Sequence, residues 1–251
     1  MNTALLAYVL LALAGAARAG DPPAPEVLEG GLSGSRALVV ALHGGSFDDR
    51  PAAELARRLL SDLSSEARAA GLRLLVPVAP AAPPGERWVV PWLRPDGEAL
   101  VVALVQRETA ARRADPRRVH LAGHGAGATG AFTLAARHPD LVAGVAAWSG
   151  TPEPLWDEER RVIGLAEPVI EGLAGVPVFV FTARDDPVLD RATLRLFLDG
   201  LQRQADALGG PPPLWVEGEG GHGFGRAGPA RGLRFLRDQK KPAARQEVSG
   251  S

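Results

Sequence analysis

The fold is decided by the stretch Val119-His120-Leu121-Ala122-Gly123-His124-Gly125-Ala126-Gly127. Its apolar first half is typical of a buried strand, its glycines are typical of a tight turn, and the following residues 127–137 are typical of a helix. Segments of the same two kinds alternate on either side of it. Strands that alternate with helices of about ten or more residues require parallel crossover connections, which place helices on both faces of the sheet. The sequence therefore predicts a single α/β domain with a mostly parallel sheet.

Short apolar runs mark the strands outside this stretch, and amphipathic spacing marks the helices. The predicted strands are 37–42, 72–78, 118–122, 141–148, 176–182 and 214–217. The predicted helices are 52–70, 98–113, 127–137, 191–208 and 229–237. Segment 151–175 has no clear single period and is predicted to hold a helix over the carboxyl edge of the sheet, where functional groups of such folds gather.

Composition narrows the classes of protein to which the chain can belong. Its 251 residues suit one large domain. The formal net charge is −1 with both signs mixed along the chain, whereas nucleic-acid binding needs a concentrated basic face. The absence of cysteine excludes disulfides, thiolate nucleophiles and cysteine zinc sites. No histidine pair has a spacing such as H-E-x-x-H, and we predict no metal.

The N-terminal residues are typical of an export signal. The apolar run 4–13 is shorter than the stretch of about 20 residues that spans a membrane. It is followed by Ala17-Arg18-Ala19, an A-x-A cleavage pattern, and then by a Pro-rich stretch. The alternative for this segment is a buried N-terminal helix. We predict a secreted or periplasmic protein with no membrane span in the mature chain, divided into a signal peptide 1–19, a Pro/Gly-rich leader 20–36, a folded domain 37–237 and a polar disordered tail 238–251.

The turn within the opening stretch has the context of a nucleophile elbow. In that motif, G-x-S-x-G, small flanking residues let the chain turn sharply between a strand and a helix. Gly123 and Gly127 provide the flanking positions, but the central position holds Gly125 in place of serine. A glycine has no hydroxyl group, so residue 125 cannot attack a substrate.

Segment 115–150 resembles the core of serine esterases of the α/β-hydrolase superfamily, in particular the exported phospholipase/carboxylesterase and polyhydroxybutyrate-depolymerase-like branches. In that family a segment similar to Asp115-Pro116-Arg117-Arg118-Val119 leads into the elbow, and one similar to 135–140 follows it. The resemblance extends over 37–236, with several motifs in the family's order. It implies an α/β-hydrolase fold and a small-molecule ester or acyl ligand.

The resemblance also assigns a role to Leu42-His43-Gly44-Gly45, which ends the first predicted strand. Such a turn offers a backbone N–H group to an oxyanion, together with the N–H group that follows the nucleophile position. By the resemblance, Gly45 (or Gly44) and Ala126 supply these two donors. An ordinary strand-to-loop turn is the alternative for the first motif taken alone.

Two later loops hold the candidates for the acid and the base. The family's acid follows a long apolar strand, three residues past a glycine whose place Ala183 takes, and this favours Asp186 over Asp185. One of the two aspartates is expected to cap a helix or turn. His222, on a glycine-rich loop near the C-terminus, matches the family's general base, and the order nucleophile, acid, histidine is that of the fold. The histidines predicted to be structural are His43, His120, His124 and His138.

Three functions are compatible with a glycine at position 125. In the preferred one, the protein is a degenerate hydrolase that binds an ester or acyl ligand with little turnover. In the second, it is an active carboxylic-ester hydrolase in which His222 activates water, or in which Ser46 or Thr129 supplies a displaced hydroxyl. In the third, it is a non-catalytic interaction protein. The persistence of Asp186, of His222 and of the turn glycines argues against complete decay of the site.

The loops over the carboxyl edge give less information about the ligand. Trp88, Trp92 and Trp156 fall in loops, where they can line a pocket or pack beneath it. Segment 151–175 is the expected lid and the expected determinant of ligand size. No cofactor is implied, because hydrolysis on this scaffold needs only water and the protein's own groups. The pattern carries no information on oligomeric state.

Overall fold

The structure is a computed structural model that describes residues 25–45, 50–81, 90–159, 161–226 and 228–242. The predicted signal peptide, Ser46, Trp88 and the tail beyond residue 242 lie outside the described residues. Within the described ranges, no helix combines the length and the apolarity that crossing a membrane requires.

The strands of the described ranges are β1 (Val27–Gly31), β2 (Leu38–Leu42), β3 (Arg73–Pro77), β4 (Val119–His124), β5 (Val145–Trp148), β6 (Pro154–Trp156), β7 (Val162–Leu165), β8 (Val178–Ala183) and β9 (Leu214–Gly218). Among these residues, seven strands form one sheet in the order β1-β3-β2-β4-β5-β8-β9. Its neighbouring strands are parallel except for β1 and β3. β6 and β7 form a separate antiparallel hairpin. The predicted mostly parallel α/β sheet is confirmed.

The helices of the described ranges are α1 (Ala52–Ala69), α2 (Pro95–Ala110), α3 (Ala126–Arg137), α4 (Val169–Gly172), α5 (Arg191–Leu208) and α6 (Gly228–Asp238), with 3₁₀ turns at Pro91–Leu93 and Pro139–Leu141. α1 and α6 cover one face of the sheet, and α2, α3 and α5 cover the other. Strand β2 shows how the sequence specifies this arrangement. Its side chains are all fully buried and alternate between the two layers, because successive side chains of a strand point to opposite faces.

A buried ion-pair cluster anchors α2 to β3. Glu108 accepts hydrogen bonds from Arg73 at 2.6 Å and from Arg113 at 2.8 Å, and Arg73 also donates to Glu29 at 2.8 Å. The Glu108 side chain is only 2% exposed. The hydrogen bond from Arg113, with that from Arg73, overcomes the opposing effect of burial and lowers the pKa of Glu108 to about 2. The carboxylate is therefore ionised in the folded protein at neutral pH.

Segment 151–175 differs from the helix predicted for it. It holds the β6–β7 hairpin followed by the short helix α4. Prolines at 152, 154 and 168 lack the N–H group that a helix interior needs, and the β-branched pair Val162 and Ile163 favours extended backbone. The predicted helix is therefore limited to α4.

The sheet also begins before residue 37, the predicted start of the domain. β1 lies within the stretch 20–36 that was predicted to be a leader, and it pairs with β3 along its whole length. A Cβ on Gly30 would lie 2.4 Å from the Ser64 hydroxyl oxygen on α1. The glycine that suggests a linker in the sequence is thus required by close packing. At the other end of the domain, the backbone N–H of Lys241 donates to the Arg117 carbonyl at 3.0 Å, so the first residues of the predicted tail are bound to the domain.

Candidate active site

The turn between β4 and α3 depends on three glycines. A Cβ on Gly123 would lie 2.1 Å from the carbonyl oxygen of Gly127, and a Cβ on Gly127 would lie 1.9 Å from that of Leu42. The ends of β2 and α3 can approach this closely only because both positions are glycine. Gly125 between them has φ +56° and ψ −122°, a conformation that is strained for a residue with a side chain.

Asp186 and His222 form a hydrogen-bonded pair at the carboxyl edge of the sheet. Both carboxylate oxygens of Asp186 lie 3.1 Å from Nδ1 of His222. The Asp186 side chain is fully buried, and its Oδ1 also accepts the backbone N–H groups of Val188 at 2.9 Å and Leu189 at 3.1 Å. Because the carboxylate is an acceptor, we assign the proton of the imidazole to Nδ1, which leaves a lone pair on Nε2.

Nε2 of His222 faces Gly125. A Cβ added to Gly125 would lie 3.2 Å from this nitrogen and 3.9 Å from the Cα of Gly44. The central position of the turn, which carries serine in a nucleophile elbow, is therefore beside the imidazole, and here it carries only hydrogen. The structure thus brings together Asp186, His222, Gly125 and Gly44, which come from four separate strand ends.

Asp185, the neighbour of the pair, binds the backbone of the histidine loop. Its two carboxylate oxygens accept the N–H groups of Gly220 and Gly221, each at 3.1 Å. These bonds, above all the one from Gly221, hold the pKa of Asp185 below its ordinary value. Asp186 contacts the imidazole of His222, and Asp185 contacts only the loop that carries it.

Ser149, which is not among the predicted site residues, binds the same loop on the other side of His222. Its buried hydroxyl donates to the carbonyl oxygen of Gly223 at 2.8 Å. The residue has φ +49°, which is uncommon for a residue other than glycine. Its position directly after β5, at the carboxyl edge of the sheet, is the one signal in the sequence that could have drawn attention to it.

His43 determines the orientation of the turn after β2. Its Nε2 accepts the backbone N–H of Ala79 at 3.1 Å, so Nδ1 carries the proton and donates to the Gly44 carbonyl at 2.9 Å. Burial lowers the pKa of His43, which keeps the ring neutral, as this arrangement requires. The Gly44 carbonyl therefore points to the imidazole of His43. The N–H group of Gly45 belongs to the same planar peptide and points to the opposite side.

Two backbone donors directly follow Gly44 and Gly125 in the chain. The N–H groups of Gly45 and Ala126 donate no hydrogen bond within the part of the chain that the structure describes. Ala126 begins α3, where helix N–H groups lack intrahelical partners and the helix dipole is positive. Both groups are therefore available to a carbonyl or anionic oxygen, and the oxyanion role of Gly45 (or Gly44) and Ala126 stays a prediction.

His124, next to the turn glycine, packs against the histidine loop. Burial, with the nearby His222 adding to its effect, lowers the pKa of His124 to about 4. Its ring centroid lies 4.7 Å from that of Phe224 and 5.2 Å from that of His222. His124 is therefore neutral at neutral pH and adds no charge beside the imidazole of His222.

A cavity of about 1130 Å³ opens over these residues. Its volume is slightly above the range of about 300–1,000 Å³ that is typical of small-molecule sites. Part of its wall is apolar and comes from α1 and from the loops after β8 and β9: Leu55, Leu59, Val188, Leu189 and Phe224. Residues 151–154 also line it, so the segment predicted to be a lid borders the cavity.

Trp92 and Thr129, two of the side chains proposed from the sequence, have other contacts. Trp92 is fully buried, and its Nε1 donates to the His43 carbonyl at 2.8 Å, so it packs beneath the turn. Thr129 lines the cavity, but its hydroxyl donates to the Thr151 carbonyl at 2.7 Å. Among the described residues, no three acidic or histidine side chains converge in a way suited to a metal ion.

Comparison with known proteins gives matches to esterases. Residues 93–206 match the family Esterase PHB depolymerase. The "Putative esterase NocK" of Nocardia uniformis subsp. tsuyamanensis is 34% identical over 237 residues, which cover 89% of this chain and 59% of the relative. A glucuronoyl esterase from Solibacter usitatus has a similar structure, with a TM-score of 0.63 at 12% identity over 87% of this chain and 79% of that one. A phospholipase/carboxylesterase from Dyadobacter fermentans has a TM-score of 0.55 at 17% identity over 85% and 96% of the two chains.

Together, the sheet order, the sharp turn after β4 and these structural matches define the fold: the chain has the α/β-hydrolase fold. In sequence it is similar to esterase-type α/β-hydrolases, because both the family matched by residues 93–206 and the sequence relative are of that type. The resemblance found in the sequence is confirmed at this level. The chain spans 59% of the length of the curated relative that it matches.

Proposed function

We propose that this protein is an exported member of the esterase-type α/β-hydrolases that binds an ester or acyl ligand and turns it over slowly. One observation carries the proposal: the imidazole of His222, oriented by Asp186, faces a position at Gly125 that has no side chain. The parts that bind and polarise an ester remain around this position. The group that would attack it does not.

The chemistry follows from the division of labour in a serine hydrolase. There the hydroxyl attacks, the histidine takes its proton, and the acid orients the imidazole. With Gly125, no acyl-enzyme can form at this position. An oxyanion hole and a binding pocket alone retain about 10³–10⁴-fold acceleration over water when triad members are removed. Ligand binding with residual turnover is the expected behaviour of such a site.

A second candidate is hydrolysis by water in place of the hydroxyl. The free side of Nε2 faces the space beside Gly125, where a Cβ would lie 3.2 Å away. A water molecule in that space could donate a proton to Nε2 as it attacks an ester held at the N–H groups of Gly45 and Ala126. In this case the natural protein is active, and its activity depends on His222.

The test is the hydrolysis of short-chain p-nitrophenyl esters by the chain that starts at Gly20, with Gly125→Ser in parallel. We expect the natural protein to be nearly inert and the serine variant to be faster by at least about 10²-fold, because the new hydroxyl would lie within reach of Nε2. Gly125→Ala is the matched control, since it adds the Cβ and the backbone strain without the hydroxyl, and it should stay inert.

Other outcomes choose among the alternatives. If the natural protein hydrolyses esters and His222→Ala abolishes that activity, the result would support the water mechanism and contradict slow turnover. A folded Gly125→Ser variant that neither hydrolyses nor binds any ester would contradict both proposals and favour a non-catalytic interaction protein.

A further inference from the structure

We infer that the site binds organic carboxylates, with one carboxylate oxygen at the backbone N–H groups of Gly45 and Ala126 and the other beside Nε2 of His222. The second oxygen approaches the imidazole through the space that a side chain at position 125 would close. The inference rests on the proposed function because it uses the same site. It names the ligand class as a free monocarboxylic acid rather than an ester.

The space beside the imidazole is open to an oxygen atom from the cavity. The absent Cβ of Gly125 would lie 3.2 Å from Nε2 of His222, and both residues line the cavity. A ligand oxygen cannot lie at the Cβ point itself, which is one covalent bond from the Gly125 Cα. Without a side chain there, however, an oxygen atom can approach Nε2 from the cavity to the usual hydrogen-bond distance of about 2.7–3.2 Å. A serine or alanine side chain at position 125 would exclude it.

The first oxygen has its donors in the turn after β2 and at the start of α3. The N–H groups of Gly45 and Ala126 have no partner among the described residues. His43 holds the Gly44 carbonyl at 2.9 Å, so the peptide between residues 44 and 45 is fixed with its N–H group on the other side. The dipole of the 12-residue helix α3 adds a positive potential at Ala126, and such helix ends bind carboxylates.

The complex holds the same number of protons in two forms. The ligand can bind as the neutral acid beside a neutral His222, or as the carboxylate beside a protonated His222. Nδ1 donates to Asp186, so a neutral His222 accepts the O–H of a carboxylic acid at Nε2. Moving that proton onto Nε2 gives an imidazolium and a carboxylate of the same composition. The alkoxy oxygen of an ester has no proton to donate, so an ester cannot make this hydrogen bond.

The charges around His222 are compatible with an acid ligand. Asp186 balances an imidazolium at Nδ1, His124 is neutral because burial lowers its pKa to about 4, and Asp185 is bound to backbone N–H groups. Arg58 of α1 adds a positive charge on the cavity wall. The other charged residues on the wall are Arg50, Asp62, Glu153 and Asp190.

The remaining wall determines the carbon chain of the ligand. Leu55, Leu59 and Phe224 present apolar surface to a cavity of about 1130 Å³, which is large enough for an acid of several carbon atoms. Each CH₂ group of that chain that is buried against apolar side chains stabilises the complex further. Hexanoate should therefore bind more tightly than acetate.

The experiment is isothermal titration calorimetry of the chain from Gly20 with hexanoate and, as the matched neutral ligand, methyl hexanoate. We expect Gly125→Ala and His222→Phe each to weaken hexanoate binding by at least about tenfold, the loss of one charge-assisted hydrogen bond. Gly125→Ala should change the affinity for methyl hexanoate far less, because an ester does not use the space at position 125. Circular dichroism verifies the fold of each variant, and His222→Phe carries the test if Gly125→Ala does not fold.

Two results would overturn the inference: no hexanoate binding by the natural protein, or hexanoate binding that both substitutions leave unchanged. The Gly125→Ser assay separates this failure from that of the proposed function. A serine variant that hydrolyses esters, beside a natural protein that binds no carboxylate, leaves the proposed function standing and rejects the carboxylate ligand.

Discussion

Both carboxylate oxygens of Asp186 lie 3.1 Å from Nδ1 of His222, although the two residues are 36 positions apart in the sequence. They meet because their loops follow β8 and β9, which are neighbouring parallel strands. The carboxyl ends of parallel strands lie at the same edge of a sheet, so the two loops leave the sheet side by side.

The Asp186 carboxylate should be essential once a nucleophile is restored. In the Gly125→Ser background, we expect Asp186→Asn to lower kcat by about 10⁴-fold, because an amide no longer holds the imidazole in the tautomer that has its lone pair at Nε2. The measurement is kcat for p-nitrophenyl butyrate, with circular dichroism as the check of folding. A folded double variant that keeps the kcat of Gly125→Ser would contradict the assignment of Asp186.

Asp185 should act as a positioning residue for the histidine loop. In the same background, Asp185→Asn removes one of the two acceptors for the Gly220 and Gly221 N–H groups and lets the loop shift. We expect kcat to fall by up to about 10²-fold, the cost of a displacement of about 1 Å, while KM changes less because Asp185 itself does not line the cavity. Asp199→Asn, at an exposed position of α5, is the matched control and should leave both constants unchanged. A change in KM with an unchanged kcat would argue against this role.

The buried Glu108 cluster should make stability depend on pH in the acid range. The pKa of Glu108 falls from 4.5 to about 2 on folding, so the ion pairs contribute fully above pH 4.5 and are lost as the pH falls toward 2. Glu108→Gln should lower the free energy of unfolding at pH 7 by about 1.5–3 kcal/mol, because the buried Arg73 loses its buried carboxylate partner and keeps only the carboxylate of Glu29.

Urea unfolding at pH 7 and at pH 3 measures this effect. The difference between the natural protein and Glu108→Gln should shrink at the lower pH. Glu158→Gln, on an exposed turn, is the matched control and should have little effect at either pH. A difference that is equal at both pH values would show that the ion pairs do not account for it.

The fourth prediction concerns cleavage of the predicted export signal. The pattern Ala17-Arg18-Ala19 predicts cleavage before Gly20. N-terminal sequencing of protein recovered from the periplasm or the medium of an expressing bacterium should begin at Gly20. Ala19→Phe should block processing, because the cleavage site needs a small residue there. Recovery of the chain from the cytoplasm with residues 1–19 intact would contradict the prediction and favour the alternative of a buried N-terminal helix.

Patterns within short segments predicted most of the fold. The buried strand β2 and the helix α3 each follow from local apolar spacing, because burial imposes a period on neighbouring residues. The two incorrect predictions, a leader over 20–36 and a helix in segment 151–175, also come from local patterns alone. β1 contains glycines that suggest a linker when read locally, and its pairing with β3 supplies the stability that its own sequence does not indicate. The hairpin in segment 151–175 is likewise held by pairing between separate strands.

The sequence by itself determined the α/β class, the sharp turn at Gly125 and the absence of a hydroxyl there, since these depend on residue identity and on neighbours along the chain. It also placed Asp186 and His222 in the order of the esterases. Only the tertiary structure decided that Asp186 contacts His222 while Asp185 binds the backbone, and that Ser149 holds the same loop. Those contacts join residues from different strand ends, and their geometry depends on strand order and backbone direction, which no local pattern encodes.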